Sequence, residues 1–207
     1  MPPEKTALYG SDIVGNTLLN WRIRRVLPLL KGRLLDVGCG CNRLVHHYKS
    51  KYGGDGIGID VYPWEGIDTV IEDAGKLPFD DGSFDTVTCL AALNHIPNRL
   101  EFLKESHRIL APDGQLIVTM IPSGISKIWH RLRKPWDPDQ HERGMKEGEK
   151  FGFSAAEMSE LLSQAEFTLA ERRRFMLGMN TIYTGKKAVY AQKKRVDNLS
   201  LFATERY

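Results

Sequence analysis

The sequence predicts an α/β domain, a mostly parallel sheet covered by helices on both faces. Short, largely apolar runs ending in glycine or a small residue alternate with stretches of helical period. RLLDVG (33–38), GIGIDV (56–61) and FDTVTCLA (84–91) are the clearest of these runs. They are too short for helices and suit strands buried on both sides, as parallel strands are.

The composition agrees with such a core. Hydrophobic residues make up 42% of 207, enough to fold without disulfides or metals. A charged fraction of 27% excludes a disordered or collagen-like polymer. The net charge of +3 sets up no strong field for nucleic acid. Cys39, Cys41 and Cys89 form no even framework and read as free thiols under reducing conditions. MPPEKTALYGSD lacks the apolar centre of a signal peptide, and no run approaches the roughly 18 apolar residues of a membrane span. The expectation is a cytoplasmic protein with one domain over 1–207 and no transmembrane segment.

The elements follow in order. Residues 11–31 read as a helical cap with Leu19, Ile23, Val26, Leu27 and Leu30 on one face and Arg22 and Arg25 solvated on the other. Strand 33–38, helix 44–52, strand 56–61 and a third strand 67–73 come next. Strand 84–91 precedes helix 99–110, with Leu100, Leu103, His107 and Leu110 on one stripe and His107 as a core histidine. APDGQLIVTMI supplies a turn and a fifth strand. Residues 123–152 carry Pro135, Pro138 and four glycines, the composition of a lid or substrate insertion. Ser154 and Glu157 form a capping box at the start of a helix. Two last strands flank Leu177-Gly178-Met179, antiparallel because no crossover helix fits between them, and a basic tail closes the chain at 191–207.

LLDVGCGCN (34–42) is the sharpest motif. A glycine turn after a first strand lets backbone approach a ligand, and the next helix offers free amides. Arg43 breaks the dinucleotide pattern G-x-G-x-x-G. Asp36 before the turn would repel a pyrophosphate but suit a cation such as a sulfonium. Asp60, at the tip of the second strand, can accept from both hydroxyls of a ribose. Asp73 ends the third, where a carboxylate can accept from an adenine amino group. One such aspartate is commonly a turn former; three at successive strand ends, on the edge where α/β sheets bind ligands, point to a site.

DVGCG, GIGID, EDAGKLPFDDGSFDTV, LNHI and ESHRILAPDGQLIVT together resemble the class I S-adenosyl-L-methionine-dependent methyltransferases, in the group that includes quinone and small-metabolite enzymes. The resemblance covers residues 33–121. It implies a Rossmann-like seven-stranded sheet of order 3-2-1-4-5-7-6 with strand 7 antiparallel. It implies that Asp36, Gly38, Cys39 and Gly40 wrap the amino-acid part of the cofactor and that Asp60 holds the ribose. Val61 would lie against the adenine, Asp73 and Ala74 would read its edge, and Leu90 or Ala91 would offer a carbonyl to the methionine ammonium. One departure is Asn42 in place of the usual third glycine, a residue that tolerates left-handed backbone.

The acceptor is narrowed by absent motifs. Leu93-Asn94-His95-Ile96 replaces the Asn/Asp-Pro-Pro-aromatic motif that exocyclic-amine and glutamine methyltransferases carry, and none of the cysteines follows a proline as in cytosine-5 enzymes. Methyl transfer asks mainly for alignment and a deprotonated acceptor. His95, just past strand four, is the leading base candidate, and His141 in the insertion is the second. His46 and His47 lie near Cys39 and Cys41, but Cys39 already belongs to the cofactor turn, so no metal site is expected. Arg131, Arg133 and Lys134 flank Trp129 and Trp136, a mix suited to phosphates, anionic lipid at a membrane surface, or a glycan. Arg172, Arg173 and Arg174 sit in a strand whose alternation sends at least one to each face. The closing RFMLGMNTIYTGKK, with HERGM and GEKFGFS before it, is similar to methyltransferases of bacterial glycan assembly. The reading is methyl transfer from S-adenosylmethionine to a small-molecule, lipid or glycan-precursor acceptor, with an RNA methyltransferase or a non-catalytic cofactor-binding module as alternatives.

Overall fold

Consecutive residues of a strand point to opposite faces, so an unbroken apolar run demands cover on both sides. The computed structural model describes residues 13–121, 150 and 152–187, and there the chain meets that demand. Strands β1 (Arg33–Val37), β2 (Asp55–Asp60), β3 (Thr69–Val70), β4 (Phe84–Leu90), β5 (Leu110–Met120), β6 (Phe167–Phe175) and β7 (Asn180–Lys187) form one sheet. Its order is β3-β2-β1-β4-β5-β7-β6. The first five strands are mutually parallel, and β7 runs antiparallel to both β5 and β6.

Helices α1 (Ile13–Val26) and α2 (Arg43–Tyr52) pack on one face; α3 (Arg99–Ile109) and α4 (Ala155–Gln164) pack on the other. The strands divide their residues accordingly. Leu34, Ile117 and Ile182 meet Ile23 and Val26 of α1 and Leu44, Val45 and Tyr48 of α2. Leu35, Val37, Val87, Cys89, Leu116 and Val118 meet Phe102 and Leu103 of α3 and Met158 and Leu162 of α4. The expected capping box is present: the Glu157 amide donates to Ser154 Oγ at 3.2 Å, and the Ser154 amide donates to Glu157 Oε2 at 2.8 Å.

Several expectations are corrected. The first helix ends at Val26, and Leu27–Leu29 form a 3-10 turn around Pro28, which has no amide to continue the α-helix. The third strand is Thr69–Val70 alone rather than 67–73, so Asp73 lies in the loop beyond it. Asp68 sets its N-terminal limit: its carboxylate takes the Gly58 amide at 2.7 Å, the place a strand partner would fill. His107 is only half-buried, edge-on to Phe167 at 5.2 Å, and the buried stripe of α3 is Phe102, Leu103, Ser106 and Ile109. The arginine expectation holds: Arg172, Arg173 and Arg174 lie in the edge strand β6 opposite Tyr183, Ile182 and Thr181, so they alternate between its faces, and all three are exposed. Arg22 is half-buried rather than solvated: its Nε is buried without a hydrogen-bond partner, and desolvation pushes its pKa down to about 10. Arg25 is exposed as expected. Apart from Lys150 and Gly152, the insertion 123–152 lies outside the described residues, and so do His141 and the tail 191–207.

One side chain ties the loop between β3 and β4 to α3. Arg108 donates to the carbonyls of Phe79 (2.9 Å) and Leu77 (3.1 Å) and to the carboxylates of Asp81 (2.6 Å) and Glu105 (2.8 and 2.9 Å). Glu105 in turn accepts the Leu77 amide at 3.0 Å. The Arg108 hydrogen bond holds the Glu105 carboxyl below its usual range despite partial burial. Arg108→Met should lower unfolding free energy by roughly 1–2 kcal/mol, the scale of charged hydrogen bonds discounted for partial exposure. Urea unfolding of the variant checks this; an unchanged midpoint refutes the tie.

Candidate active site

The carboxyl ends of β1, β2 and β4 meet at one edge of the sheet. Register sets Asp36 of β1 beside Gly58 of β2 and Thr88 of β4. After β1 the chain turns at Gly38, whose φ is +73°. A Cβ there would lie 2.5 Å from the Ala92 side chain, so only glycine lets the turn approach the end of β4 so closely. The Gly38 and Cys39 amides both donate to the Ile59 carbonyl, at 2.9 and 3.1 Å. The Gly40 amide donates to Asp60 Oδ2 at 3.0 Å, and the Tyr62 amide to Asp60 Oδ1 at 3.1 Å. Asp60 is therefore aimed back at the first turn by two backbone amides. Val61, next to it, is 54% exposed, a branched apolar surface left open beside a carboxylate. Tyr62 and Trp64 follow as a tilted ring pair, 4.6 Å between centroids.

Asn42 does adopt left-handed backbone (φ +57°), and its side chain is fully buried. Its amide nitrogen donates to the Gly66 carbonyl (3.0 Å) and to Asp68 Oδ2 (2.8 Å). Room for it comes from Gly58, where a Cβ would collide with the Asn42 amide at 1.9 Å. The departure from a third glycine is thus absorbed by Gly58, Gly66 and Asp68. Burial works against the Asp68 charge, but the Gly58 amide, the Asn42 amide and the nearby Lys49 and His46 outweigh it and hold its pKa below the usual range.

Asp36 is 3% exposed. Burial pushes its pKa up to about 7; the Thr88 hydroxyl, donating to Oδ1 at 2.6 Å, opposes the rise, and the neighbouring Asp60 charge adds to it. The Cys39 thiol between these groups is pushed up too, by burial and then by the Asp36, Asp60 and Asp68 carboxylates. Burial is also the largest cause of the upward shifts of Cys41 and Cys89, so none of the three thiols is activated as a nucleophile. The turn therefore sits in a negative field. It favours a sulfonium or an ammonium and opposes a pyrophosphate.

Beyond β3, Asp73 accepts from the Asn98 side chain at 2.7 Å and from the Gly75 amide at 2.8 Å, and these bonds hold its carboxyl below the usual range. Ala74 beside it is buried. At the end of β4, Leu90 and Ala91 are half-buried, and Ala91 turns the backbone through a positive φ of 56° while its amide pairs with the Thr119 carbonyl at 3.0 Å. His95 closes the 3-10 turn Leu93–His95 that follows, half-buried, with its amide on the Ala92 carbonyl at 2.9 Å. Thr88, Asn98 and Asp68 are site residues that the sequence reading missed. Each acts on an aspartate or on a turn through register or a loop contact, and no spacing in the chain announces such pairs.

Residues 35–118 match the family model described as a methyltransferase domain. Over that stretch the chain is similar to the methyltransferase domain. It is 31% identical over 120 residues to the tocopherol O-methyltransferase of Arabidopsis thaliana, covering 51% of this chain and 34% of that protein. It is 30% identical over 139 residues to the 27-O-demethylrifamycin SV methyltransferase of Amycolatopsis mediterranei, covering 57% and 51%. The chain therefore spans a third to a half of the length of these curated relatives. Among solved structures, a SAM-dependent methyltransferase from Methanosarcina mazei shares the fold with a TM-score of 0.59 and 22% identity, covering 77% of this chain and 95% of that one. The cyclase SpnF shares it as well, with a TM-score of 0.62 and 17% identity, covering 83% and 80%. S-adenosylmethionine is the cofactor that this methyltransferase domain indicates, and the acidic turn, the amide-aimed Asp60 and the open Val61 fit it.

The raised Asp36 pKa has a definite pH signature. Its folded value exceeds the ordinary carboxylate value of 3.8, so its contribution to stability is present at low pH and is lost as pH rises from there through about 7. Relative to Asp36→Asn, the wild type should lose a few kcal/mol of stability across that window. Denaturant unfolding of both proteins at a series of pH values measures the difference. A constant gap would show that Asp36 is already ionised in the free protein.

Proposed function

We propose that the chain transfers a methyl group from S-adenosylmethionine to a small-molecule acceptor. The observation that carries the reading is the acidic turn: Asp60, aimed by the Gly40 and Tyr62 amides, and Asp36, held by the Thr88 hydroxyl, both lie near Cys39, an arrangement that favours a cationic ligand. In this reading Asp36, Gly38, Cys39 and Gly40 hold the amino-acid end of the cofactor, with a Leu90 or Ala91 carbonyl on its ammonium. Asp60 accepts from the ribose hydroxyls, Val61 covers the adenine, and Asp73, oriented by Asn98, takes its amino group with Ala74 alongside. When bound, the cofactor supplies an electrophilic methyl on a cationic sulfur. The residues then have to exclude water, hold the acceptor in line and remove its proton. His95 stands directly after β4 and is proposed as the base, with His141 as the second candidate.

The acceptor class follows from the relatives, which are named for tocopherol, demethylmenaquinone and a rifamycin. A quinol or phenol is the first acceptor to test, and glycan and lipid precursors are the second, on the similarity of the closing segment. The shared fold of a cyclase makes turnover, rather than cofactor binding alone, the deciding measurement.

Calorimetric titration with S-adenosylmethionine, S-adenosylhomocysteine and NAD tests the cofactor first. The first two should bind in the micromolar range and NAD should not. Asp60→Ala should weaken cofactor binding by roughly 1–3 kcal/mol, the scale of charge-assisted hydrogen bonds; unchanged affinity in a folded variant refutes the ribose assignment. His95→Ala should lower turnover with cofactor affinity intact, and full activity there moves the base to His141.

A further inference from the structure

A helix leaves its first amides without partners, and an asparagine just before it ordinarily turns its side chain onto them. Asn98 occupies that place at the start of α3 and makes no such bond. Its carboxamide reaches instead to the loop beyond β3, where Nδ2 donates to Asp73 Oδ1 at 2.7 Å. The Gly75 amide donates to the same oxygen at 2.8 Å. Gly75 also makes the approach possible, because a Cβ there would lie 2.2 Å from the Asn98 nitrogen. Two segments far apart in the chain are thus fitted around one carboxylate oxygen. An exposed tie adds little to stability, whereas a cap bond is a regular source of it, so the diversion calls for another reason.

The reason lies in the oxygen that remains. Asp73 is exposed, and among the described residues no donor reaches its Oδ2. Two donors on Oδ1 stop the carboxylate from turning, so Oδ2 points in a set direction. An ionised carboxylate only accepts hydrogen bonds, and any group that meets Oδ2 must therefore donate. The 6-amino group of adenine donates. The 6-oxo group of hypoxanthine accepts, and would face Oδ2 unpaired.

We infer that Asn98 is a positioning residue for cofactor selection: with Gly75 it turns Oδ2 of Asp73 to the nucleobase, so that the chain takes a 6-aminopurine and rejects its 6-oxo analogue. The inference rests on the assignment of Asp73 to the adenine edge and adds what sets its direction. Asn98 acts through Asp73 and not on the ligand. The residue type matters here. Aspartate has the same shape but no donor, and would set two carboxylates against each other.

The test is calorimetric titration of the full chain with S-adenosylhomocysteine and S-inosylhomocysteine, its 6-oxo analogue. The wild type should bind the first at least about tenfold tighter, the scale of an unmatched hydrogen-bonding group. Asn98→Asp and Asn98→Ala should each cut that ratio about fivefold, chiefly by weakening S-adenosylhomocysteine. A residue that only steadied the loop would weaken both ligands alike and leave the ratio where it was. Asp73→Asn gives an independent measure. Asn98 and Gly75 both donate, so they keep the new side-chain oxygen at the Oδ1 place and turn its amino group to the nucleobase. The preference should then reverse in favour of S-inosylhomocysteine. An unchanged ratio in either folded Asn98 variant, or the absence of reversal in Asp73→Asn, overturns the inference and leaves cofactor binding standing. Equal binding of the two ligands by the wild type overturns it together with the adenine assignment of Asp73. Binding of neither overturns the methyltransferase reading as well.

Discussion

Close backbone approach at the carboxyl edge of the sheet is the constraint on which the site depends. The turn after β1 is held on the Ile59 carbonyl by two amides and pressed against Ala92 so closely that residue 38 has no room for a side chain. That contact brings the tips of β1, β2 and β4 together. It also excludes water from Asp36 and lets Asp60 reach the Gly40 amide. Burial, hydrogen bonding and charge at the turn are three consequences of one packing arrangement.

The same crowding explains how an unusual residue is tolerated. Asn42 takes a left-handed conformation that its type permits; its buried amide nitrogen still needs acceptors, while its Oδ1 makes no hydrogen bond. Gly58 clears the space, and Gly66 and Asp68 supply the acceptors. Asp68 then binds the Gly58 amide and sets the N-terminal limit of β3, so a substitution in one turn is paid for two strands away.

Electrostatically the turn is one-sided. Asp36, Asp60 and Asp68 all act on the Cys39 thiol and push its pKa up, after burial, so a ligand that reaches this edge meets carboxylates first. That arrangement suits a cation and opposes a pyrophosphate.

The sequence by itself determined the sheet and most of the acidic turn after β1. Apolar runs of strand length between helical stretches imply parallel strands, and a missing crossover implies an antiparallel final pair, because these follow from local periodicity and chain connectivity. Asp36, Asp60 and the Ser154–Glu157 capping box were legible for the same reason: each is marked by its position relative to an element end. Only the tertiary structure decided what lies across from what. Thr88 opposite Asp36, Asn98 on Asp73 and Asp68 under Asn42 depend on register and loop packing between distant segments, which no local pattern encodes. Arg22 stands between the two. Its place inside the apolar arc of α1 could be counted along the chain, but a long arginine often reaches solvent from such a place, and only packing showed that its Nε does not.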